Sequence, residues 1–187
     1  VDEVNSYAFA GAEFKSGRFT FEPAVRLDYF RFDYINKMSE LYDSRSEEKV
    51  AFSPKFNTIY SPAENTQLFL KTGIGFHSND SRVVVTNGGE EILPAAYGVD
   101  LRTIVKPVDK LVLNATLWTL FLDQEFVYVG DAGIVEPSGK TRRMGLEVGA
   151  RYQPLDWLYL YTDANYTHAR STEAADGEDY IPLAPDF

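Results

Sequence analysis

The fold is decided by two stretches, Leu111-Val-Leu-Asn-Ala-Thr-Leu-Trp-Thr-Leu-Phe121 and Arg143-Met-Gly-Leu-Glu-Val-Gly-Ala-Arg-Tyr-Gln153. Side chains alternate between the two sides of an extended backbone, so the second stretch separates into an apolar face and a charged face. The first face consists of Met144, Leu146, Val148, Ala150 and Tyr152, and the second of Arg143, Gly145, Glu147, Gly149 and Arg151. A soluble sheet lays such an apolar face on a core, whereas a membrane barrel turns it outward to lipid.

The composition favours a β protein and excludes several kinds of site. The 187 residues include 13 Phe and 12 Tyr but only 2 Met, and aromatic residues favour strands. A net charge of -10 argues against a nucleic-acid partner, because binding to phosphates requires a basic face. The lack of cysteine excludes disulfides, thiolate metal ligands and a cysteine nucleophile. No apolar run approaches the roughly 18 residues of a transmembrane helix.

The same alternation recurs on both sides of these stretches and predicts an all-β chain. About eight strands are predicted, at 7–14, 18–33, 50–60, 68–76, 97–105, 111–121, 143–153 and 158–166, and all of them show it except 7–14, where small and aromatic residues leave the facing ambiguous. Short turns at 15–17, 61–65, 106–110 and 153–156 alternate with longer polar loops at 34–48, 78–91 and 130–139. Because the two kinds of connection alternate strictly, the sequence predicts an antiparallel up-and-down meander with all the short turns at one end.

Strand length and loop length together favour a transmembrane β-barrel over a soluble β-sandwich. The segment 18–33 is far longer than the roughly 5–6 residues usual in globular sheets. A tilted strand needs about 9–11 residues to cross a bilayer, and bacterial barrels have short periplasmic turns and long extracellular loops. The apolar face of the second stretch is then expected to contact lipid, with Arg143, Glu147 and Arg151 lining the interior.

The predicted orientation places both ends of the chain outside the cell. Complete single-chain bacterial barrels normally place both termini in the periplasm. We therefore expect residues 1–187 to be a partial β-barrel domain of a larger barrel, with strands missing before and after it. The opening residues, from Val1, lack an initiator Met and agree with this expectation.

Several motifs carry a resemblance to a known family. They are Phe52-Ser-Pro-Lys-Phe56, Leu68-Phe-Leu-Lys-Thr-Gly-Ile-Gly-Phe-His-Ser-Asn-Asp-Ser-Arg82, the two opening stretches, Ala164-Asn-Tyr-Thr-His168 and Ile181-Pro-Leu-Ala-Pro185. Their order and spacing resemble the later part of the barrel of TonB-dependent outer-membrane receptors, from about Ser6 to the end of the chain.

This resemblance implies a function and a set of partners. The family's barrels have about 22 strands and a lumen filled by an N-terminal plug domain, and they import scarce ligands such as ferric siderophores or cobalamin. The implied location is the bacterial outer membrane. The implied partners are outer-membrane lipid, a small-molecule ligand such as an iron chelate, the receptor's own plug domain, and an energy-transducing complex of the inner membrane. We expect the plug domain to lie outside these 187 residues.

The loop that follows the segment 68–76 holds the candidate ligand-binding residues. They are His77, Asn79, Asp80 and Arg82. Their predicted position is the extracellular end of two strands, where Arg82 offers a cation to an anionic chelate. The alternative is that these polar residues solvate a strand end and cap a turn.

A second set of charged residues is predicted to face the barrel interior. It consists of Glu22, Arg26, Asp28, Asp100, Arg102, Arg143, Glu147, Arg151 and Asp163. The signs are mixed, so the residues are expected to pair with one another or with the plug rather than to form a transport path. No serine nucleophile accompanies His77 and Asp80, and two histidines cannot form a multi-histidine metal site. The sequence therefore predicts no enzyme, no cofactor and no metal site.

The predicted function is that of a receptor which binds and imports a small ligand. Two alternatives stay open at this stage. One is a passive porin or structural outer-membrane barrel, and the other is a soluble β-sandwich that acts as a binding module.

Overall fold

The computed structural model describes residues 2–36, 43–77, 93–124, 126–129, 134–137, 139–174, 177 and 179–181. These residues form β-strands connected by turns and bends. The strands are β1 Asp2–Gly11, β2 Phe14–Ser16, β3 Phe19–Asn36, β4 Asp43–Ala63, β5 Thr66–Phe76, β6 Ala95–Val105, β7 Leu111–Leu122, β8 Phe126–Val129, β9 Ile134–Pro137, β10 Thr141–Leu155 and β11 Leu158–Ser171. Within the described part of the chain, no helix is long and apolar enough to cross a membrane.

The principal sheet is an antiparallel meander. Its strands lie in the order β1-β3-β4-β5-β6-β7-β10-β11, and β2 pairs with β3 beyond the end of β1. The strands β8 and β9 pair only with each other, as a separate two-stranded sheet. The predicted up-and-down topology is therefore confirmed. The β-sandwich alternative is wrong for the described residues, because the long strands follow one another in a single sheet instead of dividing between two packed sheets.

The short turns lie together at one end of the sheet, as predicted. Backbone hydrogen bonds connect neighbouring turns: the amide of Ser61 donates to Arg18, that of Lys106 to Asn65, and that of Gln153 to Lys110, at 2.9, 2.8 and 2.9 Å. The Lys110 ammonium also lies 2.6 Å from the Asp156 carboxylate of the next turn. These contacts join consecutive hairpins where the chain reverses.

Two predicted loops contain more regular structure than expected. The segment 34–48 is wrong as a loop over most of its length, because β3 and β4 remain paired as far as Asn36 and Asp43. The predicted loop 130–139 likewise includes β9, which pairs with β8. Residues 43–48 of β4 are uniformly polar, and β8 and β9 are only four residues long, so these segments do not show the alternation that marks the other strands. The predicted loop 78–91 lies outside the described residues.

Pro23 interrupts the pairing between β3 and the first strand. The amide of Ala12 donates to the carbonyl of Pro23 at 3.0 Å. The reciprocal bond of such a pair needs an N–H at position 23, which proline lacks. This explains why β1 and β2 are separate strands although Gly11 and Phe14 keep the same register against β3. The irregularity therefore lies in the strand opposite Pro23.

The two faces of the sheet differ in polarity, as the sequence predicts. The apolar face is bounded on β3 by Phe19 and Tyr29 and on β10 by Tyr152 and Met144, and these side chains remain 36–43% exposed. Charged residues follow on the same face, at Arg31 in β3 and Arg142 in β10. The face opposite, which we call the polar face, carries most of the remaining charges.

The densest packing lies at the end of the sheet away from the short turns. Phe30, Phe32 and Leu93 are buried there, and Phe76 and Ala51 pack against them. The ladder between β4 and β5 stops at the pair of Lys55 with Gly73, so the β3–β4 hairpin extends beyond β5. This aromatic cluster therefore lies where the hairpin leaves the sheet.

Candidate functional site

The nine predicted interior charges share the polar face. The registers place Arg26 opposite Ser53, Asp100 opposite Lys71, and Glu147 opposite both Thr116 and Asn165. Because neighbours across a ladder point to the same side of a sheet, one face carries all of the following residues: Glu22, Arg26, Asp28, Asp100, Arg102, Arg143, Glu147, Arg151 and Asp163. The prediction that these charges share one face is confirmed. The charged residues differ in their hydrogen-bond and ion-pair partners.

Asp28 belongs to a closed network on β1 and β3. Its carboxylate is fully buried and accepts hydrogen bonds from Nε and Nη2 of Arg26 at 2.8 and 2.7 Å. Asn5 donates to the same carboxylate at 3.4 Å, and the Arg26 guanidinium lies 3.9 Å from the centre of the Tyr7 ring. A buried carboxylate with this many partners holds β1 and β3 together and is not available to a ligand.

A second group of polar side chains forms an open cavity on β6, β7, β10 and β11. The cavity has a volume of about 360 Å³. Its polar lining consists of Arg102, Asn114, Thr116, Glu147, Asp163 and Asn165. Within the described chain, Nε of Arg102 is buried without a hydrogen-bond partner. Unlike the network around Asp28, this group still offers donors and acceptors to a bound molecule.

Two glycines of β10 shape the polar face beside this cavity. A Cβ added at Gly149 would lie 2.6 Å from Nδ2 of Asn114 and 2.6 Å from Oδ1 of Asp163. A Cβ at Gly145 would lie 2.6 Å from the Trp118 ring and 2.6 Å from the carbonyl oxygen of Tyr166. The absence of side chains at these two positions therefore lets the neighbouring side chains lie across the strand.

The predicted ligand-binding residue His77 lies at the end of the sheet opposite the short turns. It is exposed and follows β5 directly, and its amide donates to the carbonyl of Pro94 at 3.1 Å. The preceding Phe76 packs its ring edge-on against Phe30 at 5.4 Å, and Phe30 stacks on Phe32 at 5.7 Å. His77 is thus held beside the aromatic cluster. The other predicted ligand residues, Asn79, Asp80 and Arg82, lie outside the described residues.

Sequence reasoning missed this aromatic cluster. The available signal was the position of Phe30 and Phe32 on the same face as Arg26 and Asp28, where apolar residues are not expected. Their contact with Leu93 joins segments that are distant in sequence and depends on the hairpin leaving the sheet. The alternation of residues within a strand carries no information about such a contact.

The outer part of the β3–β4 hairpin carries its own polar contacts. The Nε atom of Arg31 lies 3.0 Å from the Asp33 carboxylate. A hydrogen bond from Ser46, together with that from Arg31, holds the pKa of Asp33 below its usual value. Arg31 and Asp33 lie beyond the apolar part of β3, so these contacts stabilise the projecting hairpin.

Among the described residues, no group of three or more His, Cys, Asp or Glu is placed to hold a metal ion.

Comparison with known proteins identifies the family. The family model described as "TonB dependent receptor-like, beta-barrel" matches residues 1–187. No curated protein sequence matches the chain significantly.

Solved structures of the same fold include three receptors and transporters. The ferric citrate transporter FecA in its unliganded form superimposes with a TM-score of 0.78 at 22% identity, over 98% of this chain and 29% of that one. The ferric-catecholate import receptor Fiu from E. coli K12 gives 0.73 at 15% identity, over 98% and 30%. The siderophore receptor PiuA from Acinetobacter baumannii gives 0.71 at 12% identity, over 90% and 26%.

At sequence identities of 12–22%, the structural likeness establishes the fold alone. The chain spans no more than 30% of the length of these three proteins. The match of the family model over residues 1–187 establishes the family. The chain belongs to the β-barrel family of the TonB-dependent receptors.

Proposed function

We propose that this chain is part of the barrel wall of an outer-membrane receptor that binds and imports a scarce small ligand, such as a ferric siderophore. The observation that carries the proposal is the family match over residues 1–187. A sheet with one apolar face and one charged face supports it, because a barrel wall separates lipid from a polar lumen. The remainder of the barrel and the plug domain would lie elsewhere in the intact receptor.

The short turns support an orientation with their end of the sheet in the periplasm, because bacterial barrels have short periplasmic turns and longer extracellular loops, and the aromatic residues near these turns agree with a membrane boundary there. On the apolar face near those turns, Phe19 stacks on Tyr60 at 4.6 Å. Trp157, in the last short turn, is 76% exposed. Aromatic side chains concentrate at the boundary between lipid and water in transmembrane barrels. The opposite end of the sheet, with His77 and the aromatic cluster, is then extracellular.

Ligand capture is proposed for the extracellular end. His77 is exposed beside the aromatic cluster, and Asn79, Asp80 and Arg82 follow it in the chain. An anionic iron chelate could use the Arg82 guanidinium, which forms paired hydrogen bonds with carboxylate or catecholate oxygens. Two proteins with the same fold are a ferric citrate transporter and a ferric-catecholate import receptor. They suggest the chemical class of ligand to test first.

The experiment uses the full-length receptor in a bacterial strain that lacks its own siderophore receptors. We expect growth under iron limitation on one or more ferric siderophores, and we expect this growth to require the energy-transducing complex of the inner membrane. Deletion of that complex should abolish uptake, because a ligand held in a plugged barrel cannot diffuse through it. The measurement is uptake of ⁵⁵Fe supplied as ferric citrate and as a ferric catecholate.

Uptake that continues without the complex would favour the alternative function, a passive porin.

The residue-level part of the proposal is tested with Arg82→Gln, which should weaken binding of an anionic chelate on the order of tenfold, as expected for one lost charged hydrogen bond. Arg151→Gln is the matched control, because Arg151 lies on the polar face near the short turns and contacts Tyr161. Equal binding by both variants would exclude Arg82 as a ligand contact.

A further inference from the structure

The apolar face contains a groove across four neighbouring strands. Its volume is about 680 Å³. The registers order most of its lining into two rows, Leu101-Leu117-Leu146-Tyr166 and Val99-Thr119-Met144-His168, each taken from β6, β7, β10 and β11. Leu101 and Leu117 are 51% and 55% exposed, so a large apolar surface remains uncovered by the described chain.

The next row on the same face changes in character. It consists of Tyr97, Phe121, Arg142 and Arg170. Two residues of this row are aromatic and two are cationic, whereas the two rows below are apolar except for Thr119 and His168. Aromatic and arginine side chains at the end of an apolar band mark the level where a membrane meets water. The groove therefore ends at the level of the lipid headgroups.

Arg142 and Arg170 lie directly opposite each other in the ladder between β10 and β11. Like charges in this position destabilise a sheet unless a counter-charge lies near them. Arg170 has such a partner, because its Nε lies 3.4 Å from the Asp179 carboxylate. Among the residues that the structure describes, no carboxylate forms an ion pair with Arg142, which is exposed. An anion beside Arg142 would relieve the repulsion.

We infer that this groove binds a phosphate-bearing membrane lipid, with the phosphate at Arg142 and an acyl chain that crosses the two rows below it. The charge of Arg142 and the apolar lining select an amphiphile with one anionic end, and guanidinium groups bind phosphate oxygens in pairs. The inference rests on the membrane location proposed above. The lipid site lies on the apolar face, opposite the polar face. A failure of the lipid inference would therefore leave the proposed import function intact.

The test measures lipid binding to the full-length receptor in detergent by native mass spectrometry. The probes are phosphatidylglycerol, which is anionic, and phosphatidylcholine with the same acyl chains. We expect the receptor to retain phosphatidylglycerol more strongly. Arg142→Gln should weaken that binding about fivefold, which corresponds to one basic side chain near an anionic lipid surface. Arg151→Gln, on the other face, should leave it unchanged.

The contribution of the groove is tested separately. Leu117→Gln should weaken the binding of both lipids, and because Leu117 is 55% exposed the substitution should not prevent folding. Ferric siderophore uptake by Arg142→Gln should match that of the unmodified receptor, which distinguishes loss of the lipid from loss of transport. Equal phosphatidylglycerol binding by Arg142→Gln and the unmodified receptor would overturn the inference. So would displacement of the lipid by millimolar inorganic phosphate, because a site for a free anion does not require the groove.

Discussion

At the scale of single residues, the glycines of β10 and β5 provide a matched test of packing. Gly145→Ala should destabilise the receptor by about 1–3 kcal/mol, the usual range for overpacking, because its Cβ would meet the backbone carbonyl of Tyr166 at 2.6 Å. Gly149→Ala should cost less, because the atoms it would meet are the ends of the Asn114 and Asp163 side chains. Gly75→Ala is the control, since no atom lies within 4 Å of its added Cβ.

The measurement is the thermal denaturation midpoint of the full-length receptor in detergent for the three variants. The expected order of stability is Gly75→Ala, then Gly149→Ala, then Gly145→Ala. A Gly145→Ala receptor as stable as the Gly75→Ala receptor would contradict the close approach of Tyr166 and Trp118 to this strand.

At the scale of elements, alternation predicted the strands well where one of their faces is apolar. The residues from Met144 to Tyr152 form a strand with the predicted facing because lipid or a core imposes a period of two on its side chains. The outer part of β4, residues 43–48, is uniformly polar, so the sequence contained no period that marked it as a strand. The site was predictable to the same degree. The shared face of the interior charges follows from alternation, whereas the closed network around Asp28 depends on its neighbours in β1 and could not be read from β3 alone.

The β3–β4 hairpin should weaken under acid because of Asp33. The pKa of Asp33 is lowered in the folded state, so its ionised carboxylate stabilises the hairpin. This stabilisation is fully present above the ordinary aspartate pKa of about 3.9. It is lost as the pH falls through the lower pKa of the folded state. We expect hydrogen–deuterium exchange of the hairpin, corrected for the intrinsic effect of pH, to accelerate below about pH 4. Asp33→Asn should already exchange faster at pH 7 and should lose this acid-dependent step. Identical pH profiles for the two proteins would show that Asp33 does not stabilise the hairpin.

At the scale of the whole molecule, the sheet leaves many large apolar side chains exposed. Side chains such as Leu27, Phe52 and Leu117 are 50–61% exposed on the apolar face, while the buried apolar side chains are few and lie mainly at one end. Among the described residues, β1 pairs on one side only, and the outer side of β11 has only an isolated bridge between Arg170 and Tyr180. An exposed apolar face and two open strand edges both favour association with other molecules.

We therefore expect the 187-residue chain, produced alone, to associate in buffer without detergent. Sedimentation velocity should show large, polydisperse species, because both the apolar face and the strand edges remain available for contact. The full-length receptor in detergent is the control and should sediment as a single species, since detergent covers the apolar face and further strands would pair with the edges. A monodisperse monomer of the isolated chain in plain buffer would contradict the assignment of this face to lipid, and it would remove the basis for both the orientation and the lipid site proposed above.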